Sequence, residues 1–281
     1  MPELLIAGGL TVDRFPDGRR APGGSVLHAG LAAAAEGAGI TTVTLAGDEP
    51  EAREGLGQLA GLGRLIHQPA TATTAYRHDE HDGRRVLVYQ SAAGTIDPGA
   101  LHGLPPPDVA LLAPIADELP APVVTGLRAL LEPRLTVLLI QGWLRRLEIG
   151  EPVHPLALDE VEPELWTAFG TADAIVVSTE DLAEAPADPF LQARQLRERL
   201  GPGPMLIVTL GDRGYLLDDP GSDRVAAAVP RRVVDGVPMV GAGDTFGAGL
   251  AVALARGLSP TAAADAATEC VIRVLEARRD R

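Results

Sequence analysis

Six short, largely apolar runs of four or five residues recur along the chain, and they constrain its fold more than any other feature. A strand with one wet face alternates apolar and polar residues, whereas a strand covered on both faces is apolar throughout. We therefore predict buried strands of a mostly parallel sheet at residues 4–7, 42–45, 109–112, 136–140, 174–177 and 206–209.

Amphipathic or alanine-rich stretches separate these runs and predict helices. Several begin with proline or carry an acidic residue in the first turn, as helix N-termini prefer. Alternation of strand and helix is typical of an α/β fold with helices on both faces of the sheet. No linker interrupts the pattern, so we predict a single domain over residues 1–281. Its predicted helices are at residues 25–36, 50–59, 122–131, 162–169, 189–200, 244–256 and 260–278.

Two segments break this pattern and predict β-hairpins. Residues 73–78 and 84–90 alternate in polarity on either side of a His-Asp-Gly turn, and a smaller hairpin is predicted over residues 12–21. Hairpins inserted into an α/β domain often close over a ligand. We therefore predict lid segments at about 11–22 and 72–91, with an ordinary surface hairpin as the alternative.

The charged composition limits the partners of the chain. It has no lysine, which excludes a Walker-type phosphate lysine and a lysine Schiff base. The formal net charge of −14 argues against nucleic acid and anionic membranes. Bound phosphate would therefore depend on backbone amides, a few arginines and a metal ion. No run reaches the roughly 18 apolar residues of a membrane span, and the N-terminus lacks the basic start of a signal peptide, so we expect a cytoplasmic protein.

Metal-binding clusters are scarce in the sequence. A single cysteine, Cys270, excludes an internal disulfide and a multi-cysteine zinc site. Residues 78–82 read His-Asp-Glu-His-Asp, which is compatible with a metal site, but we interpret them as a solvent-exposed hairpin tip.

The run Gly241-Ala242-Gly243-Asp244 carries the strongest chemical signal. The three small residues allow a tight turn into the next helix, whose first amides and dipole favour a bound anion. This predicts an anion hole. Asp244 at the same helix end is either a helix cap or a general base that takes the proton of a substrate hydroxyl.

Two segments resemble a known family. Residues 241–246, Gly-Ala-Gly-Asp-Thr-Phe, are similar to the C-terminal signature of the PfkB family, the ribokinase-like carbohydrate and nucleoside kinases. Residues 22–32, with a glycine pair that opens an alanine-rich helix, resemble its N-terminal signature. The resemblance implies a three-layer ribokinase-like fold with a small β-hairpin lid. It also implies that Asp244 is the catalytic base beside an anion hole at 241–243.

On the substrate side, the resemblance implies that Asp13 holds substrate hydroxyls and that Gly23 and Gly24 let the substrate approach the backbone. Arg145 occupies the place of a family arginine, although it is also compatible with a charged loop. His28 replaces the family's usual asparagine and is either a substrate ligand or a packed core residue.

On the donor side, the resemblance implies that Thr209, Gly211 and Gly214 line the nucleotide phosphates. It implies that Asp181 organises magnesium through water. Pro238 stands where the family usually has an aspartate that helps to hold potassium, so we expect no requirement for a monovalent cation.

Together these features predict an ATP-dependent kinase that uses Mg²⁺ and phosphorylates a hydroxyl of a small sugar or polyol, an inositol-like compound included. A nucleoside kinase of the same fold is one alternative, but an aromatic content of 3% offers few side chains for a base slot. A sugar-binding relative without turnover is the other. The lid edge makes a homodimer possible.

Overall fold

The computed structural model describes residues 1–81, 84–183, 188–222 and 225–280. The strands are β1 (Glu3–Gly8), β2 (Thr11–Arg14), β3 (Arg20–Gly23), β4 (Gly39–Ala46), β5 (Arg64–Pro69), β6 (Thr74–His81), β7 (Arg84–Ser91), β8 (Val109–Ala113), β9 (Leu135–Leu139), β10 (Arg145–Arg146), β11 (His154–Pro155), β12 (Ala174–Ser178), β13 (Met205–Thr209), β14 (Tyr215–Asp218) and β15 (Ala226–Ala228). The helices are α1 (Ser25–Ala35), α2 (Pro50–Leu62), α3 (Ala121–Leu131), α4 (Pro163–Phe169), α5 (Pro189–Leu200), α6 (Ala242–Ala255) and α7 (Pro260–Arg279).

A nine-stranded sheet forms the centre of the molecule, in the order β15-β14-β13-β12-β9-β8-β1-β4-β5. The seven strands from β13 to β5 are parallel to their neighbours, and β14 and β15 add an antiparallel edge. All six predicted runs lie in this sheet. The predicted α/β class and mostly parallel sheet are confirmed.

Two apolar cores, one on each face, explain why the central strands are largely apolar. In β1, Leu4 and Ile6 face one core, whereas Leu5 and Ala7 face the other. Helices α1, α2, α6 and α7 cover the first face, and α3, α4 and α5 cover the second. The three layers follow directly from this double burial.

The sequence did not predict β5, because most residues of this edge strand are only partly buried or exposed and its Arg-Leu-Ile-His-Gln-Pro run shows no clear apolar pattern. A second difference lies at α6, which begins at Ala242 rather than at the predicted residue 244. Asp244 therefore lies inside the first turn of the helix and not at its boundary.

The two predicted hairpins form one four-stranded sheet, in the order β3-β2-β6-β7. The turn residues 82 and 83 lie outside the described residues. The outer strand β7 pairs with the chain itself, because Tyr89 N donates to Glu151 O (3.0 Å) and Val153 N donates to Leu87 O (2.7 Å). The possible homodimer stays a prediction. None of the helices within the described ranges is long and apolar enough to cross a membrane.

The entry into α1 depends on a glycine. Gly24 has φ 95° and ψ 162°, a conformation that other residues rarely adopt, and a Cβ there would overlap Gly9 O and lie 2.8 Å from Thr11 N. We expect Gly24→Ala to lower the free energy of unfolding by at least about 1–3 kcal/mol. Urea unfolding measures this change.

Gly57→Ala is the matched control, because Gly57 lies exposed within α2 and a Cβ there meets no atom within 4 Å. This substitution should raise stability by about 0.4–1 kcal/mol. Equal effects of the two substitutions would contradict the steric argument.

Candidate active site

One cleft, lined by the lid sheet β3-β2-β6-β7 and by the chain that follows several central strands, collects nearly all of the predicted site residues. Gly23 is the exception and does not line it. The predicted residues that do line the cleft are Asp13, Gly24, His28, Arg145, Asp181, Thr209, Gly211, Gly214, Gly241, Ala242, Gly243 and Asp244.

The N-terminus of α6 offers two backbone donors to this cleft. Gly241 precedes the helix with φ 76°, in the left-handed region that favours glycine. The amide of Ala242 is not available, because it donates to Met239 O (3.0 Å). The amides of Gly243 and Asp244 make no hydrogen bond to any described residue. The anion hole predicted at 241–243 therefore cannot use the amide of Ala242.

Asp244 is 6% exposed and does not cap α6. Its Oδ1 instead accepts a hydrogen bond from Gln141 Nε2 (3.0 Å). Burial raises the pKa of Asp244 to about 6, with Arg145 opposing the shift and Asp181 adding to it. The side chain therefore does not serve as the helix cap, and a carboxylate with a pKa near the working pH is suited to accept and release a proton.

Arg145 lies between the carboxylates of the cleft. Its Nη2 is 3.8 Å from Asp181 Oδ1 and 3.4 Å from Gln141 Oε1, to which it donates. Burial raises the pKa of Asp181, and the charge of Arg145 opposes this. Arg145 therefore belongs to the site rather than to a charged loop, and it links Asp181 to the Gln141–Asp244 pair.

The carboxylates of the cleft are suited to only one mode of magnesium binding. Asp181 Oδ2 accepts from Ser178 N (3.1 Å) and Oδ1 lies 3.8 Å from Arg145 Nη2, so both oxygens already face a donor or a cation of the protein. The described residues contain no group of three or more His, Cys, Asp or Glu side chains placed to hold a metal. These residues suit an ion that is bound mainly by phosphate oxygens and waters.

The lid end of the cleft is built around Asp13, which is 7% exposed. Its Oδ1 accepts from Thr11 Oγ1 (3.1 Å), and its Oδ2 lies 3.5 Å from His78 Nε2. A Cβ on Gly23 would lie 2.5 Å from Asp13 Oδ2, so this glycine makes room for the carboxylate. Gly24 is likewise required by the backbone turn into α1. The packing of the protein itself therefore explains why both positions are glycine.

His28 joins the two ends of the cleft. Its ring packs on Gly241, where a Cβ would overlap it. Burial and the charge of Arg278 lower the pKa of His28 to about 4, against a smaller opposing effect of Asp13. His28 is therefore neutral at pH 7 and has one ring nitrogen to donate and one to accept.

Two residues of the site were not predicted. His78 was expected at a solvent-exposed tip, but it is 5% exposed, stacks on Phe15 at 4.7 Å and lines the cleft. Strand alternation was the signal that could have found it, because Tyr76 two residues earlier is also buried on β6. Gln141 follows the predicted strand at 136–140, and no local motif singled it out.

Comparisons with known proteins agree with this geometry. Residues 150–276 match the pfkB family of carbohydrate kinases. The C-terminal part of the chain is thus similar to a PfkB-family domain. No curated protein matches the sequence.

Solved structures of ribokinase-family proteins share the fold of this chain. One is a pyrophosphate-dependent kinase in the ribokinase family, in complex with a pyrophosphate analog and myo-inositol, with a TM-score of 0.77, 18% identity and coverage of 94% of this chain and 92% of that one. An Arabidopsis thaliana ribokinase with ribose and ATP has a TM-score of 0.73, 17% identity and 98% coverage of both chains. A Vibrio cholerae O395 fructokinase has a TM-score of 0.69, 19% identity and coverage of 96% and 97%.

The contact of Gln141 with Asp244 generates a prediction that requires no assay of turnover. Gln141→Leu removes a donor that favours the charged carboxylate, so the pKa of Asp244 should rise by about one unit above the parent value. A carbon-13 NMR titration of the aspartate carboxyl groups measures it. Gln58→Leu on exposed α2 is the control and should leave this pKa unchanged. An unchanged pKa of Asp244 in the Gln141→Leu variant would contradict the assignment of the hydrogen bond.

Proposed function

We propose that this PfkB-family protein transfers the terminal phosphoryl group of ATP to a hydroxyl of a small sugar or polyol. The observation that carries the proposal is a buried carboxylate, Asp244, with a pKa of about 6 beside the two free amides of Gly243 and Asp244 itself. The carboxylate can take a proton while the two amides bind an oxyanion, and phosphoryl transfer to an alcohol needs both.

In the proposed mechanism, the sugar or polyol that accepts the phosphoryl group binds at the lid end of the cleft. Asp13 accepts hydrogen bonds from acceptor hydroxyls, and His28 adds a neutral donor and acceptor beside it. Asp244 takes the proton of the attacking hydroxyl as the new O–P bond forms and the bond to the leaving phosphate oxygen breaks. The amides of Gly243 and Asp244 stabilise the charge on the phosphoryl oxygens during this in-line step.

Magnesium fits the same arrangement. When bound with the donor phosphates, it would neutralise part of their negative charge. Asp181 would hold it through water, and Arg145 keeps the charge of Asp181 balanced. With Pro238 in place of a carboxylate, and with the carbonyls of Pro238 and Val240 accepting from Arg278, we propose that turnover needs no monovalent cation.

The lining of the cleft favours a nucleotide as the donor over free pyrophosphate, the donor used by one of the structural neighbours. Val233 and Met239 are about half exposed and line the cleft together with Val237 and Leu275. Apolar surface of this kind suits a base, whereas pyrophosphate offers only charge. Arg232, a cation of the cleft, already pairs with Glu276 (2.9 Å).

The aromatic side chains favour a polyol over a nucleoside as acceptor. Trp143 is buried against Phe169 and does not line the cleft. Tyr76 donates to Ile115 O (2.7 Å), and Tyr89 is 3% exposed. None of these three presents an open face on which a base could stack.

A phosphorus-31 NMR assay with a panel of acceptors tests the proposal. ATP and pyrophosphate are each combined with myo-inositol, ribose, fructose and adenosine, in potassium and in sodium buffers of equal ionic strength. We expect a phosphate ester with ATP and at least one polyol or sugar, at equal rates in both buffers. Products formed only with pyrophosphate would contradict ATP as the donor. Products formed only with adenosine would contradict a sugar or polyol as the acceptor. Binding of a sugar without any ester would identify a non-catalytic relative.

Asp244→Asn tests the base. The amide keeps the shape of the side chain but cannot take a proton, so turnover should fall by about 10²–10⁴-fold. Calorimetry should show acceptor affinity within about threefold of the parent. Asp48→Asn, at an exposed residue that pairs with Arg53, is the control and should keep full activity. Activity of Asp244→Asn within tenfold of the parent would rule out Asp244 as the base.

A further inference from the structure

The loop that leads into the anion hole is held from the side by one arginine. Arg278, in the last turn of α7, donates through Nη1 to Pro238 O (3.0 Å) and to Val240 O (2.7 Å). The two neighbouring carbonyls are satisfied in another way, because Met239 O and Gly241 O accept backbone amides of the first turn of α6. Successive carbonyls of residues 238–241 thus alternate between the guanidinium and the helix.

This alternation fixes the direction of the peptide planes. In a trans peptide, the N–H points opposite to the C=O of the same unit. Because the carbonyl of Val240 points at Arg278, the amide of Gly241 points away from it. The carbonyl of Met239 is held by Ala242 N, which sets the first turn of α6 and with it the free amides of Gly243 and Asp244.

The guanidinium also brings a positive charge close to the anion hole. Arg278 lowers the pKa of His28, whose ring packs directly on Gly241. A cation within electrostatic reach of that ring strengthens the binding of an anion at the adjacent helix N-terminus.

We propose that Arg278 is a positioning residue of the anion hole, which holds residues 238–241 in the conformation that binds phosphate. Its guanidinium is a cation built into the chain and bound by the carbonyls of the loop. This inference rests on the proposed function only in that the anion is taken to be the phosphate of the donor.

Arg278→Ala tests this role, with Arg279→Ala as the matched control on the same helix turn. Arg279 is about half exposed and lies 3.6 Å from Asp280, away from the loop carbonyls. Calorimetry with inorganic pyrophosphate as the probe should give a Kd about 10- to 100-fold weaker for Arg278→Ala, the effect of losing charge-assisted hydrogen bonds. The Kd of Arg279→Ala should stay within twofold of the parent.

Chemical rescue separates positioning from general stability. Guanidinium ion, added far below concentrations that unfold proteins, should restore pyrophosphate binding and turnover of Arg278→Ala in a saturable way and leave the parent unchanged. A weakened variant with no saturable rescue would overturn the proposal, as would unchanged affinity. If Arg278→Ala fails to fold, Arg278→Met keeps the aliphatic stem and must show the same loss of affinity, or the proposal is wrong.

The experiment distinguishes this inference from the proposed function. A parent protein that forms no phosphate ester, but binds pyrophosphate in an Arg278-dependent way, would overturn the kinase and support the positioning role. A parent that turns over, with Arg278→Ala equal to it in Kd and kcat, would support the kinase and overturn the positioning role. A parent that binds no pyrophosphate overturns the role of Arg278.

Discussion

The hydrogen bond from Gln141 to Asp244 joins two parts of the chain that are 103 residues apart. Gln141 lies two residues after the end of β9, and Asp244 lies in the first turn of α6, so this contact places a helix N-terminus over the end of a central strand. The surrounding burial raises the pKa of Asp244, while Arg145 and the amide of Gln141 limit the rise. The free amides at the start of α6 and the carboxylate of Asp244 therefore occupy one position in the fold.

Small residues make this placement possible. A Cβ on Gly247 of α6 would lie 2.9 Å from Leu139 Cδ1, and a Cβ on Gly249 would lie 3.0 Å from Cys270 Cβ. Helix α6 can therefore approach both β9 and α7 closely only because these positions are glycine. The same packing brings the end of α7, with Arg278, beside the loop that precedes α6.

The sequence predicted what depends on local pattern. Strands covered on both faces are largely apolar, so all six central runs were found, whereas the edge strand β5 carries no clear apolar pattern and was missed. The signature at 241–244 pointed to the N-terminus of α6 and to Asp244 as the candidate anion hole and base. The signature could not show that Ala242 N donates to Met239 O, because this hydrogen bond depends on the geometry of the turn.

Residues that join the site through distant pairing were harder to predict. His78 reaches Asp13 only because β6 pairs with β2, and residues 78–82 taken alone resemble a polar turn. The role of Gln141 depends on the approach of α6, which no local motif encodes. Gly24 lines the cleft and Gly23 does not, and the packing reasons for both glycines, room for Asp13 and the turn at Gly9, needed the assembled fold.

The pH dependence of kcat/KM tests the central claim, that a buried Asp244 is the proton acceptor, most directly. A base must be deprotonated to act, so activity should be lost as the pH falls through about 6, the pKa of Asp244. The midpoint of this limb should coincide with the carboxyl titration of Asp244 followed by NMR in the same buffer. A profile that stays flat between about pH 5 and 8, or a limb whose midpoint does not match the titration of Asp244, would contradict the account.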